Sequence, residues 1–157
     1  FHMIKGTVAE QISLKDKSIT KEQIQDALDF VGLSDYVATL ENGIDTQVAS
    51  NTLFSQGQKQ LLCIARAIVT NPPILLLDEI TANLDSITEE KIVSVLQKAG
   101  NAYTILSISH RLSSVIVSDT VVILENGRVK NAGSPEMLLQ NDDWYSSHIA
   151  LEKLTWS

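Results

Sequence analysis

Two adjacent acidic residues, Asp78 and Glu79, follow directly after the apolar run at residues 74–77. A continuous apolar run of this length is typical of a parallel strand buried on both faces. Ligands of open α/β sheets bind beyond the carboxyl ends of the strands. Asp78 can therefore hold Mg²⁺, directly or through water, and Glu79 can polarise an attacking water molecule. The alternative is that both acids lie at the strand end only because it reaches solvent.

A second group of candidate residues lies at the predicted start of a helix. Ser55, Gln56, Gly57 and Gln58 precede an apolar stripe that continues to residue 69. A helix N-terminus offers unpaired N–H groups and the positive end of a dipole. Ser55 adds a hydroxyl, and Gly57 lets a phosphate approach the backbone. This turn can cradle an anion, although a serine that merely caps a core helix is the simpler interpretation of these residues alone.

His110 follows a predicted strand at residues 103–109. It is therefore expected at the same edge of the sheet as the acidic pair. A histidine at this place can hydrogen-bond a phosphate or orient a water molecule. A purely structural histidine is the alternative if His110 is considered by itself.

Turn and capping signals place these residues on secondary-structure elements. A capping box from Thr20 to Gln23 starts a helix that Gly32 ends, and a second box, from Ser86 to Glu89, starts another. The remaining expectations are short helices near 7–13 and 35–40, a helix over 57–69, strands at 74–77 and 103–109, a hairpin across 125–127, and two short helices from about 134 and 142.

The order of elements indicates an α/β fold. Residues 1–70 are predicted to be mostly helical, and residues 71–157 begin with alternating strands and helices, so we expect two subdomains of one unit. The net charge of −7 disfavours a nucleic-acid surface, which needs clustered Lys and Arg. It also disfavours direct binding to anionic lipid.

Taken together, the order and spacing of these motifs resemble those of the nucleotide-binding domain of exporter-type ABC transporters. The matching segments are the signature at 54–58 with the helix at 60–67, the Walker B strand and catalytic Glu at 74–79, the D-loop at 81–85, the switch-histidine loop at 109–112, the segment after the Q-loop at 6–12, and the tail at 123–129 and 133–139.

The resemblance implies a P-loop NTPase (RecA-like) core sheet with a helical signature subdomain, and an ATPase that drives transport at the cytoplasmic face of the cell membrane. It implies ATP and Mg²⁺ as cofactors, transmembrane domains as partners, and an identical or different second nucleotide-binding domain. Asp78 would position Mg²⁺, Glu79 would act on the hydrolytic water and His110 would contact the γ-phosphate. The signature residues would serve the partner's nucleotide, and Asp85 would contact the partner across the interface.

The chain also departs from the family pattern. Phe54, Gln56, Ile80 and Asn83 differ from the commonest family residues, and none of the seven glycines begins a G-x-x-x-x-G-K-S/T loop. That loop cradles the nucleotide phosphates. We therefore expect that this chain represents the C-terminal part of such a domain, that it binds little ATP alone, and that it exposes a sheet edge and apolar faces.

Two other functions fit parts of the pattern. One is a lobe of a DNA-maintenance ATPase of the same superfamily, against which the exporter-like segments, the acidic charge and the lack of a heptad-rich entry helix argue. The other is a non-catalytic half-domain that only binds a partner. The presence of both Glu79 and His110 argues against the second.

Overall fold

The structure is a computed structural model that describes residues 3–48, 53–81, 84–109 and 111–155. The strands within these ranges are β1 (Gly6–Thr7), β2 (Gln47–Val48), β3 (Ile74–Asp78), β4 (Thr104–Ile108), β5 (Val121–Glu125) and β6 (Arg128–Gly133). The helices are α1 (Val8–Ser13), α2 (Lys21–Val31), α3 (Ser34–Ala38), α4 (Gln56–Ile68), α5 (Ser86–Gly100), α6 (Leu112–Val115), α7 (Pro135–Asn141) and α8 (Asp143–Thr155), with a 3-10 helix at Gly43–Asp45.

The strands form three pairs. β3 and β4 are parallel, with Ile74 opposite Thr104 and Asp78 opposite Ile108. The connection between them contains α5, as parallel strands require a crossover. β1 pairs with β2, and β5 pairs with β6, both antiparallel. The α/β prediction is confirmed, and the two-residue pair of β1 and β2 is an element that sequence patterns did not predict.

Contacts divide the chain into two compact units, Phe1–Ile108 and Ser109–Ser157. The first unit contains α1 to α5 and the parallel pair β3–β4. The second contains the β5–β6 hairpin and the helices α6 to α8. The subdomain boundary predicted at residue 70 stays a prediction.

One continuous apolar core organises the first unit. Helices α1 and α2 pack on α4, and α4 packs on α5. The apolar stripe predicted for α4 is buried, since a helix of this kind has one apolar face. Among the most fully buried core residues are Val8, Leu28, Leu62, Ile64, Ala65, Ile92 and Ala99.

Strand β3 is parallel, as predicted, and one of its faces is exposed, which agrees with the expectation of exposed apolar faces. Burial on both faces, which its apolar run taken alone indicates, is not observed. Leu75 and Leu77 are buried, whereas Ile74 and Leu76 are 56% and 73% exposed. Side chains alternate between the two faces of a strand, and only one face of β3 is covered by described residues. Leu106 and Ile108 of β4 lie on the same open face, and each is 62% exposed.

The start of α5 also differs from the prediction. The sequence suggested Ser86 as the N-cap with Glu89 completing a box, but the N-cap is Asp85. The Asp85 carboxylate accepts hydrogen bonds from the amide and the hydroxyl of Thr88, one on each oxygen, whereas a serine offers a single, uncharged oxygen. Glu89 is instead buried, with 1% of its surface exposed.

Most other helix starts agree closely with the sequence signals, but α8, predicted to be short, has 13 residues, and α6 was not predicted. Thr7, Thr20 and Ser55 each form a complete capping box with the residue three positions later. Gly32 ends α2 in the left-handed conformation at φ 72°, which glycine adopts without steric cost. No helix within the described ranges is long and apolar enough to cross a membrane.

The second unit has a small core of its own. The predicted hairpin turn is confirmed, since Asn126 and Gly127 lie between β5 and β6 with φ of 51° and 74°. Two positive φ angles in succession are the requirement of a tight hairpin turn. Its core consists of Ile123, Leu138, Tyr145 and Ile149.

Candidate functional site

The first candidate group, residues 55–58, forms the signature turn at the start of α4. The hydroxyl of Ser55 accepts a hydrogen bond of 3.2 Å from the amide of Gln58, and the Gln58 side chain accepts one of 2.8 Å from the amide of Ser55. The first two helical amides, those of Gln56 and Gly57, have no partner among the described residues. The turn therefore caps its helix, and both amides lie at the positive end of the helix dipole, with Gln56 exposed and Gly57 buried.

Gly57 has a structural requirement that its sequence pattern does not show. A Cβ atom at this position would overlap Cγ2 of Thr88 on α5, while it would lie 3.4 Å from Thr88 Cβ and 3.6 Å from Thr88 Oγ1. The threonine methyl thus occupies the space that a side chain at residue 57 needs. The first turns of α4 and α5 are in direct contact at this glycine.

Asp85 lies at the other side of the same contact as the N-cap of α5. Its Oδ1 accepts a hydrogen bond of 3.0 Å from the Thr88 amide, and its Oδ2 accepts one of 2.7 Å from the Thr88 hydroxyl. These bonds, that of the hydroxyl first, lower the pKa of Asp85 below its usual value because they stabilise the ionised carboxylate. Asp85 is therefore an exposed anion fixed in position.

The acidic pair lies at the carboxyl end of β3, as predicted. Asp78 and Glu79 are both exposed. The backbone of Glu79 is left-handed, with φ 46°, and its amide donates a hydrogen bond of 2.9 Å to the carbonyl oxygen of Ile108. The chain turns sharply here, and the turn is bonded to the last residue of β4.

The chemistry of this strand end suits Mg²⁺. Among the described residues there is no group of three or more His, Cys, Asp or Glu side chains that could hold a metal by themselves. Mg²⁺ does not require one, since it is usually bound by one or two carboxylates, substrate phosphates and water. Asp78 offers such a carboxylate at an accessible place.

Three of the predicted family positions lie outside the described residues: His110, and Ala82 and Asn83 of the D-loop segment. Of their neighbours, Ser109 accepts a hydrogen bond of 2.9 Å from the amide of Arg111, and Leu84 is buried in the core of the first unit.

A connection between α1 and α4 was missed by the sequence analysis. Gln11 is fully buried, and its side-chain amide makes two hydrogen bonds with the backbone of Ile4, of 2.9 Å at the amide and 2.7 Å at the carbonyl. Arg66 of α4 donates a hydrogen bond of 2.7 Å to the carbonyl oxygen of Gln11, and burial lowers the pKa of its guanidinium. The available signal was the position of Gln11 on the apolar stripe with Val8 and Ile12.

Two groups of predicted residues are therefore assembled within the first unit. The signature turn and the Asp85 cap meet through Thr88, and the acidic pair is bonded to the end of β4. The signature turn and the Asp85 cap present backbone amides and a fixed carboxylate. The end of β3 presents the accessible carboxylates of Asp78 and Glu79 beside a left-handed turn. Both arrangements fit the handling of a phosphorylated, metal-bound ligand.

The chain is similar to a known protein family and to several known proteins. The family model described as "ABC transporter" matches residues 2–82. A mycobactin import ATP-binding/permease protein of Mycolicibacterium smegmatis is 40% identical over 137 residues, which are 87% of this chain and 16% of that protein. An ATM1-type heavy metal exporter of Novosphingobium aromaticivorans is 37% identical over 145 residues, 92% of this chain and 24% of the exporter.

A solved structure of a bacterial Atm1-family ABC exporter with ATP bound has the same fold. It superimposes with a TM-score of 0.82 at 35% sequence identity, over 96% of this chain and 26% of that chain. The fold expected from the resemblance is thereby confirmed. The chain spans about a quarter or less of the length of the relatives named here.

Proposed function

The chain belongs to the ABC transporter family, and on that premise we propose that it is part of the ATP-hydrolysing motor domain of a membrane exporter. It carries the signature turn, the Walker B strand and the switch histidine of that domain. Residues 1–70 form the helical signature subdomain, and residues 71–157 belong to the α/β core. The motor acts at the cytoplasmic face of the cell membrane, with transmembrane domains as partners.

The observation that carries this proposal is the start of α4, where the amides of the exposed Gln56 and the buried Gly57 have no partner among the described residues. Ser55 and Gln58 satisfy each other in the capping box, so the turn keeps its shape without using these two N–H groups. Amides at a helix N-terminus bind phosphate oxygens. In our proposal they, with Ser55 and Gln58, contact a nucleotide that a second nucleotide-binding domain holds.

The acidic pair and His110 act on the nucleotide of their own domain. Asp78 holds Mg²⁺, which when bound neutralises charge on the phosphates. Glu79 orients and polarises the hydrolytic water, and His110 contacts the γ-phosphate. Asp85 contacts the second domain across the interface.

ATP binding requires a phosphate-binding P-loop, which these 157 residues do not contain. No P-loop pattern occurs in the sequence, and the backbone and lysine of that loop supply most of the grip on the phosphates. We propose that the 157-residue chain alone binds little ATP, and that activity requires a P-loop from another segment or protein.

The choice of an exporter motor over a DNA-maintenance lobe is supported by two observations. The relatives reported above are transport proteins by their titles. The net charge is −7, whereas DNA binding relies on Lys and Arg that displace counterions.

The proposed function is tested with the purified natural full-length protein. Glu79→Gln is expected to lower ATP turnover by about 10²- to 10⁴-fold, the usual contribution of a general base, without loss of ATP binding. Glu90→Gln, an exposed carboxylate on α5, is the matched control and keeps full turnover. ATP hydrolysis at the normal rate in the Glu79→Gln protein would exclude the role assigned to Glu79.

A further inference from the structure

Thr88 is the residue through which the first turns of α4 and α5 meet. It is the third residue of α5, and its methyl group lies against Gly57, the second residue of α4. Only the methyl group excludes a side chain at residue 57, because Cβ and Oγ1 of Thr88 would remain at ordinary van der Waals distances of 3.4 and 3.6 Å. The close approach of the two helices therefore depends on a glycine on one side and a methyl group on the other.

The other branch of the same side chain faces Asp85. The Thr88 hydroxyl donates a hydrogen bond of 2.7 Å to Asp85 Oδ2, and the Thr88 amide donates one of 3.0 Å to Oδ1. Serine would retain the hydroxyl without the methyl, and valine would retain the methyl without the hydroxyl. Threonine is the standard residue that presents both groups from one Cβ.

These contacts join two separately capped helix starts. The signature turn is closed by its own capping box between Ser55 and Gln58. The start of α5 is closed by Asp85. Because capping bonds are local to one helix, neither cap joins the two first turns, whereas the contact between Gly57 and Thr88 does so directly.

We propose that Thr88 is a positioning residue that locks the signature turn to the Asp85 cap, so that both are presented to the second nucleotide-binding domain as one rigid surface. This inference rests on the proposed function, in which that surface contacts the partner's nucleotide. It assigns the requirement for glycine at residue 57 to the packing of Thr88 rather than to the approach of a ligand.

The test transfers one methyl group from residue 88 to residue 57. Four forms of the natural full-length protein are compared: the wild type, Gly57→Ala, Thr88→Ser and the double variant. An extra methyl in a packed contact is disruptive, so Gly57→Ala should lower kcat for ATP hydrolysis about tenfold or more. Thr88→Ser leaves a small void and should lower kcat by about threefold. In the double variant the alanine methyl fills that void, and kcat should return to within about twofold of the wild type.

Thr88→Val tests the hydrogen bond between the Thr88 hydroxyl and the Asp85 carboxylate. It keeps the methyl against Gly57 and removes the hydroxyl bond to Asp85, so kcat should fall several-fold. The KM for ATP should be unchanged, because the proposed function gives Thr88 no contact with nucleotide. An unchanged kcat in this variant would overturn the link to Asp85.

Melting temperatures of the same proteins separate the possible failures. A double variant that melts like Thr88→Ser but has a kcat as low as Gly57→Ala would show that glycine is needed by a ligand, and would overturn the proposal. Absence of ATPase activity in the wild type would instead contradict the proposed function. In that case the contact between Gly57 and Thr88 is tested by stability alone. The double variant should regain the melting temperature that Gly57→Ala loses.

Discussion

The backbone amide of Glu79 donates a hydrogen bond of 2.9 Å to the carbonyl oxygen of Ile108. Glu79 is the first residue after β3, and Ile108 is the last residue of β4, so this bond extends the pairing of the two parallel strands by one step. It holds Glu79 in a left-handed backbone conformation, with φ 46°. Such conformations in residues other than glycine cluster at functional sites.

This conformation predicts an unusual ranking of two variants. Glu79→Gly and Glu79→Ala both remove the carboxylate, but only glycine adopts a left-handed backbone without steric cost. Glu79→Gly should be more stable than Glu79→Ala by about 1 kcal/mol, the scale of the left-handed penalty less the greater entropy of glycine in the unfolded chain. Denaturant midpoints of the two proteins measure the difference. A more stable alanine variant would show that the turn at residue 79 is not left-handed.

Ser55 is predicted to cap α4 and also to contact nucleotide, whereas Thr20, its matched control, only caps α2. Ser55 and Thr20 each form a complete capping box at the start of a long helix. Replacement of either by alanine should therefore lower stability by about 1 kcal/mol. Only Ser55→Ala should also lower the ATPase rate of the full-length protein when both variants are assayed well below their melting temperatures. Equal ATPase rates for Ser55→Ala and Thr20→Ala would show that Ser55 only caps its helix.

Asp85 predicts a contribution to stability that depends on acid pH. Its pKa is lowered in the folded protein from the usual value of 3.8, so the folded state favours the ionised form. That contribution is fully present above the pKa of the unfolded state and is lost as the pH falls through the lower pKa of the folded state.

We therefore expect the advantage in melting temperature of the wild type over Asp85→Asn to be constant near neutral pH and to shrink below the usual pKa of aspartate. Asp16 and Asp142, whose pKa values are also lowered, are present in both proteins and cancel. An advantage that grows towards acid pH would contradict the bonding of Asp85 to Thr88.

The 157-residue chain by itself is predicted to bind MgATP poorly. It has the carboxylates of Asp78 and Glu79 but no P-loop pattern, and the phosphate cradle supplies most of the binding. Titration calorimetry should detect no saturable binding in the micromolar range. A micromolar dissociation constant for MgATP would show that these residues hold a nucleotide without that loop.

The sequence predicted helices and turns well because their signals are local. A threonine three residues before Gln23 identified the start of α2, and Asn126 with Gly127 identified the hairpin turn. Such signals depend on backbone groups a few residues apart, so they survive without knowledge of the tertiary fold.

Features that depend on distant residues could not be obtained in this way. The apolar run at 74–77 does not indicate which face of β3 is exposed, because that depends on which elements cover the strand. The contact of Gly57 with Thr88 joins residues 31 positions apart (88 − 57), and the buried Gln11 is explained only by its bonds to Ile4. At Asp85 two local signals competed, and the carboxylate formed the cap in preference to Ser86.

In the proposed function the signature turn acts on a nucleotide held by a second domain, while Glu79 acts on the nucleotide of its own domain. The most direct test measures retention of labelled ATP by the purified full-length protein after rapid removal of unbound nucleotide. Glu79→Gln should retain ATP, because hydrolysis is blocked and the nucleotide stays enclosed between two domains. The double variant Glu79→Gln with Ser55→Arg should bind ATP at equilibrium but release it rapidly, because the enclosing turn is obstructed. Equal retention of ATP by the two variants would contradict the account.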